Sequence, residues 1–247
     1  MSAVVVFVAA PAVAALDDPD PREGLGAGQL DAATAAENMT LLSTIPKPDG
    51  FFSTTNFGNS SFANSDIAFQ GDYAWVGNFN GFQLYDISGP APVLVSAFVC
   101  PGGQGDLSIY GNLLFMSVEE TRAKIDCTMT PAANAQTRFR GVRIFDVSDP
   151  LNPVQLPGVQ TCAGSHTHSL LVDPHDAENI YIYNSGTAAI RSAAELAGCN
   201  GNSSLTDPTT TNFAIQVIKV PLAAPETAHV VSNPRIFSTC GSSACID

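Results

Sequence analysis

The chain has 247 residues, of which 45% are hydrophobic and only 13% charged; 23 acidic against 10 basic side chains give a formal net charge of −13. That length and hydrophobic content can bury a substantial core, while a surface this acidic repels phosphate backbones and argues against nucleic acid as a partner. Sparse charge together with 20 Gly and 17 Pro points to short strands separated by many turns.

In chain order, the first element is an apolar stretch, Ala3 to Ala15 (AVVVFVAAPAVAA), with Ala12-Val13-Ala14 in the small-x-small pattern of a leader cleavage site. It is too short to span a bilayer. Only Met1 and Ser2 precede it, so the usual basic lead is missing, and a buried strand is the competing reading. The acidic LDDPDPREG that follows favours the leader. Residues 1–15 are thus expected to direct export, leaving a mature chain with no transmembrane span that is secreted, periplasmic or at the cell surface. Residues 16–61 form a polar extension in which Asp31 to Leu42 (DAATAAENMTLL) predicts a short helix.

From Phe62 to Asp247 the pattern becomes one of strands and turns, and it repeats. Asp66-Ile-Ala-Phe-Gln-Gly-Asp-Tyr-Ala-Trp-Val aligns with Asp106-Leu-Ser-Ile-Tyr-Gly-Asn-Leu-Leu-Phe-Met, and GFQLYDIS (Gly81 to Ser88) aligns with GVRIFDVS (Gly141 to Ser148). A third, weaker copy runs from His168-Ser-Leu-Leu-Val through Ile180-Tyr-Ile-Tyr and Val217-Ile-Lys-Val-Pro221 to Ala228-His-Val-Val. Gly next to Asp72 and Asn112 suits two-residue hairpin turns, and Asp86 and Asp146, each two residues before a Ser, suit turns in which the carboxylate bonds a backbone amide. Each unit reads as four short strands. Four-stranded units at roughly 40-residue spacing predict an all-β propeller built from antiparallel blades; a β-sandwich would leave the internal copies unexplained.

Phe82-Gln-Leu-Tyr-Asp86 and Val142-Arg-Ile-Phe-Asp146, each followed by Ile/Val-Ser and a Pro-bearing turn, resemble the LVIVD repeat, whose family consists of exported or surface propellers of bacteria and archaea. The resemblance covers about Asn64 to Asp247, with two clear copies and a third in which Pro221 replaces the aspartate. It implies the propeller fold and names no reaction. About three blades are fewer than the four to eight that close a ring, so the chain is expected to be an incomplete fragment of a longer propeller.

Three of the four histidines lie in CAGSHTHSLLVDPHD, Cys162 to Asp176. By the repeat alignment His168 falls where Asp66 and Asp106 fall, and His166 where Asn64 and Gln104 fall. The first strand of each blade lines a propeller's channel, so Asp66, Asp106, His166 and His168 are candidate ligands for a divalent metal ion there. The alternative is a set of wet channel residues hydrogen-bonded to water and to neighbouring strands. His175, in a turn, is expected to be exposed. Glu119 and Glu120 read as a solvated strand end.

Two insertions interrupt the repeats, Thr121 to Phe139 and Thr187 to Asn212. Each holds one cysteine, Cys127 and Cys199, and each blade is preceded by one, Cys100 and Cys162. The parallel predicts disulfides Cys100–Cys127 and Cys162–Cys199, in keeping with an exported chain; Cys240 and Cys245 are left for each other or for another partner. No nucleophile elbow, phosphate loop or H-E-x-x-H motif is present. The sequence therefore supports first a scaffold that binds a ligand or protein. The alternative is a metal-dependent enzyme working in the channel, by fold analogy with propeller lactonases and the selenium-binding/methanethiol oxidase group.

Overall fold

The computed structural model describes residues 20–28, 31–56, 58–128, 134–204 and 206–235. The leader-like residues 1–15, Cys240, Cys245 and Asp247 lie outside them. The chain divides into two compact units, residues 1–44 and 45–247.

In the first unit the helix expected over Asp31 to Leu42 does not form; the segment has no regular hydrogen-bonded structure. Met39, Leu41 and Leu42 are 76%, 64% and 81% exposed. A helix this short is stable only when an apolar face is buried, and these apolar side chains are exposed. The second unit starts earlier than the first repeat. Phe51 is fully buried, Lys47 Nζ donates to the Phe62 carbonyl at 2.6 Å and Asn80 Nδ2 to the Gly50 carbonyl at 2.6 Å, so residues 47–51 pack with the first blade.

The described part of the second unit holds three four-stranded antiparallel sheets, each a meander in chain order. Blade 1 comprises β1 (Asn64–Gln70), β2 (Tyr73–Asn78), β3 (Gly81–Asp86) and β4 (Val93–Val99). Blade 2 comprises β5 (Leu107–Tyr110), β6 (Leu113–Val118), β7 (Gly141–Asp146) and β8 (Val154–Gln160). Blade 3 comprises β9 (Thr167–Leu171), β10 (Asn179–Ser185), β11 (Gln216–Pro221) and β12 (His229–Ser232). These are the propeller-like blades the repeats predict; the described residues supply three of them and no closed ring.

Local chemistry fixes the turns. β1–β2 and β5–β6 are joined by Gly71-Asp72 and Gly111-Asn112, each Gly at φ +57°, the positive first position that lets a two-residue loop follow the strand twist. The Asp86 carboxylate accepts the Ser88 amide at 2.8 Å and that of Asp146 accepts the Ser148 amide at 2.9 Å, as the repeated Asp-x-Ser predicts.

The core lies between blades. Trp75, Phe82 and Leu84 of blade 1 meet Leu107, Leu114, Met116, Phe145 and Val147 of blade 2. The Phe82 and Phe145 rings cross edge to face at 5.0 Å between centroids, a favoured aromatic geometry. The opposite face of blade 2, with Leu113, Phe115, Val142 and Ile144, meets Ile180, Ile182, Ile218 and Val220 of blade 3. β6 therefore has two buried faces, which is why Leu-Leu-Phe-Met-Ser-Val is buried at every position and does not alternate.

β3 and β7 open on Gly81 and Gly141, at φ +140° and +148°. A Cβ at either position would stand 2.0 Å from a carbonyl oxygen, of Phe98 and Val159 respectively. Gly141→Ala should lower the urea midpoint by an amount equivalent to roughly 1–3 kcal/mol. Gly111→Ala, with nothing within 4 Å of the added Cβ, should cost less. Equal losses in the two variants would show that backbone conformation alone, without the carbonyl contact, sets the requirement.

Candidate functional site

Pairing between strands decides where the histidines go. Leu107 faces Met116 across β5–β6, and Leu170 faces Ile182 across β9–β10. Met116 and Ile182 occupy like positions, since each packs into the core shared with the preceding blade. Ser169 thus takes the place of Asp106, and His168 lies one residue earlier than the sequence alignment puts it. The displacement arises because residues 172–178 form a longer first turn in blade 3 than Gly71-Asp72 or Gly111-Asn112. The register follows the ladder, not the distance from the turn.

His168 consequently does not line an open channel. Its side chain has no exposed surface, while that of Asp106 is 20% exposed. The imidazole reaches into blade 2, with Nδ1 at 2.9 Å from Asp106 Oδ2 and 2.8 Å from Ser117 Oγ, and Nε2 at 2.7 Å from Ser108 Oγ. The His168 backbone amide donates to Asp106 Oδ2 at 2.8 Å. Ser117 Oγ also meets Ser165 Oγ at 2.7 Å. Burial works to raise the Asp106 carboxyl, but hydrogen bonds and charge from His168, with help from Ser117, outweigh it and hold the group below its ordinary range. Asp66 does at the first junction what Asp106 does at the second: its Oδ2 accepts the Leu107 amide at 3.0 Å. Both aspartates are carboxylate clasps from one blade to the innermost strand of the next.

His166 belongs to a second, more open cluster. Its side chain is 40% exposed, and Nδ1 lies 2.8 Å from Glu119 Oε2. Gln104 Nε2 approaches the ring at 2.9 Å. Glu119 Oε1 accepts the Thr187 amide at 2.8 Å and its hydroxyl at 2.6 Å. Burial acts to raise the Glu119 carboxyl, and the donors Thr187 and His166 overcome it, so the group is held below its ordinary range. Glu119 is only 15% exposed in its side chain, not the solvated strand end that the sequence suggests. Its partner Thr187 lies far along the chain, and the packing of blade 3 against blade 2 brings the two together.

The four candidate ligands therefore separate. Asp106 and His168 meet in the buried clasp, His166 pairs with Glu119, and Asp66 holds a backbone amide. Among the described residues no three His, Cys, Asp or Glu side chains gather as a metal-binding group. His175 is exposed in its turn, with its amide donating to Asp173 Oδ1 at 2.9 Å.

Both expected disulfides are present, Cys100–Cys127 and Cys162–Cys199. In an antiparallel meander the second-to-third-strand connection and the link to the next blade fall at the same end of the sheet. Both insertions and both preceding cysteines thus share one end, and each disulfide staples an insertion there. Gln104, Glu119, His166 and Thr187 lie at this end too. Arg143 is buried behind the first staple, with Nη2 donating to the carbonyls of Lys124 at 2.8 Å and Pro101 at 3.2 Å. Its guanidinium sits 5.1 Å from the Phe139 ring centroid, and burial pushes its pKa down to about 10. In the second insertion Ser192 Oγ accepts the Glu195 amide at 3.3 Å, in a turn that does not extend into a helix.

Residues 63–98 match the family model of the LVIVD repeat, a span that takes in nearly all of blade 1. No curated protein matches the chain. Among solved structures, Kuenenia stuttgartiensis hydrazine synthase is similar over 71% of this chain and 38% of its own, with 12% sequence identity and a TM-score of 0.41. The chain thus spans well under half the length of that protein.

Proposed function

We propose that this LVIVD-repeat chain is an exported scaffold whose propeller-like blades present a binding surface for a ligand or protein at the end that carries residues 121–139 and 187–212. The observation that carries the reading is the stapling of both insertions to that end by Cys100–Cys127 and Cys162–Cys199. Long loops held rigidly on a scaffold are where recognition concentrates, and ordering them in advance lowers the entropic cost of binding. Export is supported by the leader-like Ala3 to Ala15 and by disulfides, which persist in oxidising compartments. No helix among the described residues is long and apolar enough to cross a membrane.

The test is photo-crosslinking in the producing cell combined with fractionation. A photo-reactive residue replacing Ile125, which is 47% exposed in the first insertion, or exposed Asn202 in the second, should give partner adducts in the exported fraction. The same residue replacing exposed Asp72, at the hairpin end of blade 1, should give several-fold fewer. Equal yields from both ends, or recovery of the chain in the cytoplasm with its cysteines reduced, would overturn the reading.

A further inference from the structure

Where the two insertions meet the blades, two arginines converge on one carboxylate and a third lies beside them. Arg191 Nε lies 3.4 Å and Arg138 Nη1 3.5 Å from the same oxygen, Glu195 Oε1. Arg140 joins them through the backbone. The Thr161 amide donates to the Arg140 carbonyl at 3.0 Å and the Arg191 amide to that of Cys162 at 3.0 Å. The Arg191 guanidinium also donates to Gln160 Oε1, on the residue that pairs with Gly141 beside Arg140.

The charges do not balance. Glu119, the other carboxylate whose field reaches Arg140, already accepts from Thr187 and His166. Arg140 and Arg191 are 4% and 3% exposed. Arg191 Nη2 and Arg140 Nε are buried with no hydrogen-bond partner among the described residues. A buried guanidinium N–H without an acceptor is costly, and like charges held together add to that cost. Burial first, then the fields of Arg140 and Arg138, push the Arg191 pKa down to about 10. In a chain with only 10 basic residues and a net charge of −13, such a concentration of unpaired donors calls for an acceptor. Guanidinium groups favour planar or tetrahedral oxyanions, which accept two N–H bonds at once. Access is from the Arg138 side, where the side chain is 26% exposed.

We infer that Arg138, Arg140 and Arg191 form a binding site for a small oxyanion at the junction of the two stapled insertions, with Glu195 as the charge the anion competes against. This gives the proposed binding face a ligand chemistry and rests on that reading for its biological meaning only. The measurement is made on purified protein and the face is tested in cells, so either can fail alone.

The experiment is isothermal titration calorimetry of the purified, oxidised chain with sodium phosphate and, separately, sodium acetate at constant ionic strength. Saturable binding of one equivalent is expected. Saturation by phosphate alone identifies a free inorganic oxyanion, and by acetate alone the carboxylate of a larger ligand. Arg138→Gln, at the exposed side and so least damaging to the fold, should weaken binding about tenfold. Glu195→Gln should tighten it about tenfold, because the competing charge is gone. A purely structural cluster predicts the opposite for Glu195→Gln, a destabilised protein with no gain in affinity. Absence of saturable heat with both anions, or affinity unchanged in both variants, would overturn the assignment.

Discussion

Replacing Cys162 and Cys199 together by serine is expected to cost the folded chain roughly 3–4 kcal/mol, read as a fall in the urea midpoint. The bond joins residues 37 apart, and in the chain-entropy account a closed loop of that size removes about that much freedom from the unfolded state. The expectation is strengthened by what the second insertion lacks. Its described residues form no strand or helix, and a local polar net around Asn200 and Asp207 orders them. Asn200 Nδ2 donates to Asp207 Oδ2 at 3.0 Å and Asn202 Nδ2 to the same oxygen at 2.8 Å. The backbone and hydroxyl donors of Thr209, with those two amides, draw the Asp207 carboxyl down to about 2. That net shapes the loop, whereas the disulfide ties it to the link before blade 3. The double variant should therefore lose stability and, with it, the position of Arg191 and Glu195, so phosphate affinity should fall in the same protein. A midpoint lowered by less than about 0.5 kcal/mol would mean that the insertion is held by its hydrogen bonds alone. The Cys100–Cys127 bond joins residues only 27 apart, and its loop-closure contribution is slightly smaller on the same account.

Much of this architecture is legible in the amino-acid sequence, because the features concerned are local. Gly71-Asp72 and Gly111-Asn112 announce their hairpins, Asp86 and Asp146 their turns, and the matched GFQLYDIS and GVRIFDVS the third strands. The cysteine pairing follows from one cysteine before each blade and one in each insertion. What escapes the sequence is register and long-range convergence. His168 aligns with Asp106 in the sequence repeat, yet ladder pairing shifts it by one residue and turns its ring into the interface between blades. Glu119 looks like a solvated end until blade 3 brings Thr187 and His166 to it. Arg138 and Arg191 come from two separate insertions and Arg140 from the residue before β7, and no spacing rule links them. The Asp31 to Leu42 helix fails for the complementary reason: local propensity is present, but its apolar side chains are exposed.

Asp106→Asn is expected to destabilise the chain by about 1.5–3 kcal/mol at neutral pH, the usual cost of losing hydrogen bonds to a charged, largely buried carboxylate. One oxygen, Asp106 Oδ2, serves the His168 amide, the imidazole and the Ser117 hydroxyl. The amide of an asparagine can replace some of that acceptance but none of the charge. The variant also carries a pH signature that a packing defect would not. The folded Asp106 carboxyl is held below its ordinary value of 3.8. Its contribution to stability is thus fully present above that value and is lost as pH falls through the folded value. Glu119, lowered from 4.5, behaves in the same sense at the neighbouring cluster. Acidification has a second effect of opposite sign, since protonating carboxylates relieves self-repulsion in a chain of net charge −13. The stability curve of the unmodified protein therefore mixes the two. The difference between it and Asp106→Asn, measured by urea unfolding from pH 7 down to pH 3, removes the shared repulsion and isolates the clasp. That difference should be largest at pH 7 and shrink below the ordinary Asp range. A gap that stays constant across the series would show that Asp106 joins blades 2 and 3 through shape and neutral hydrogen bonding, with its charge playing no part.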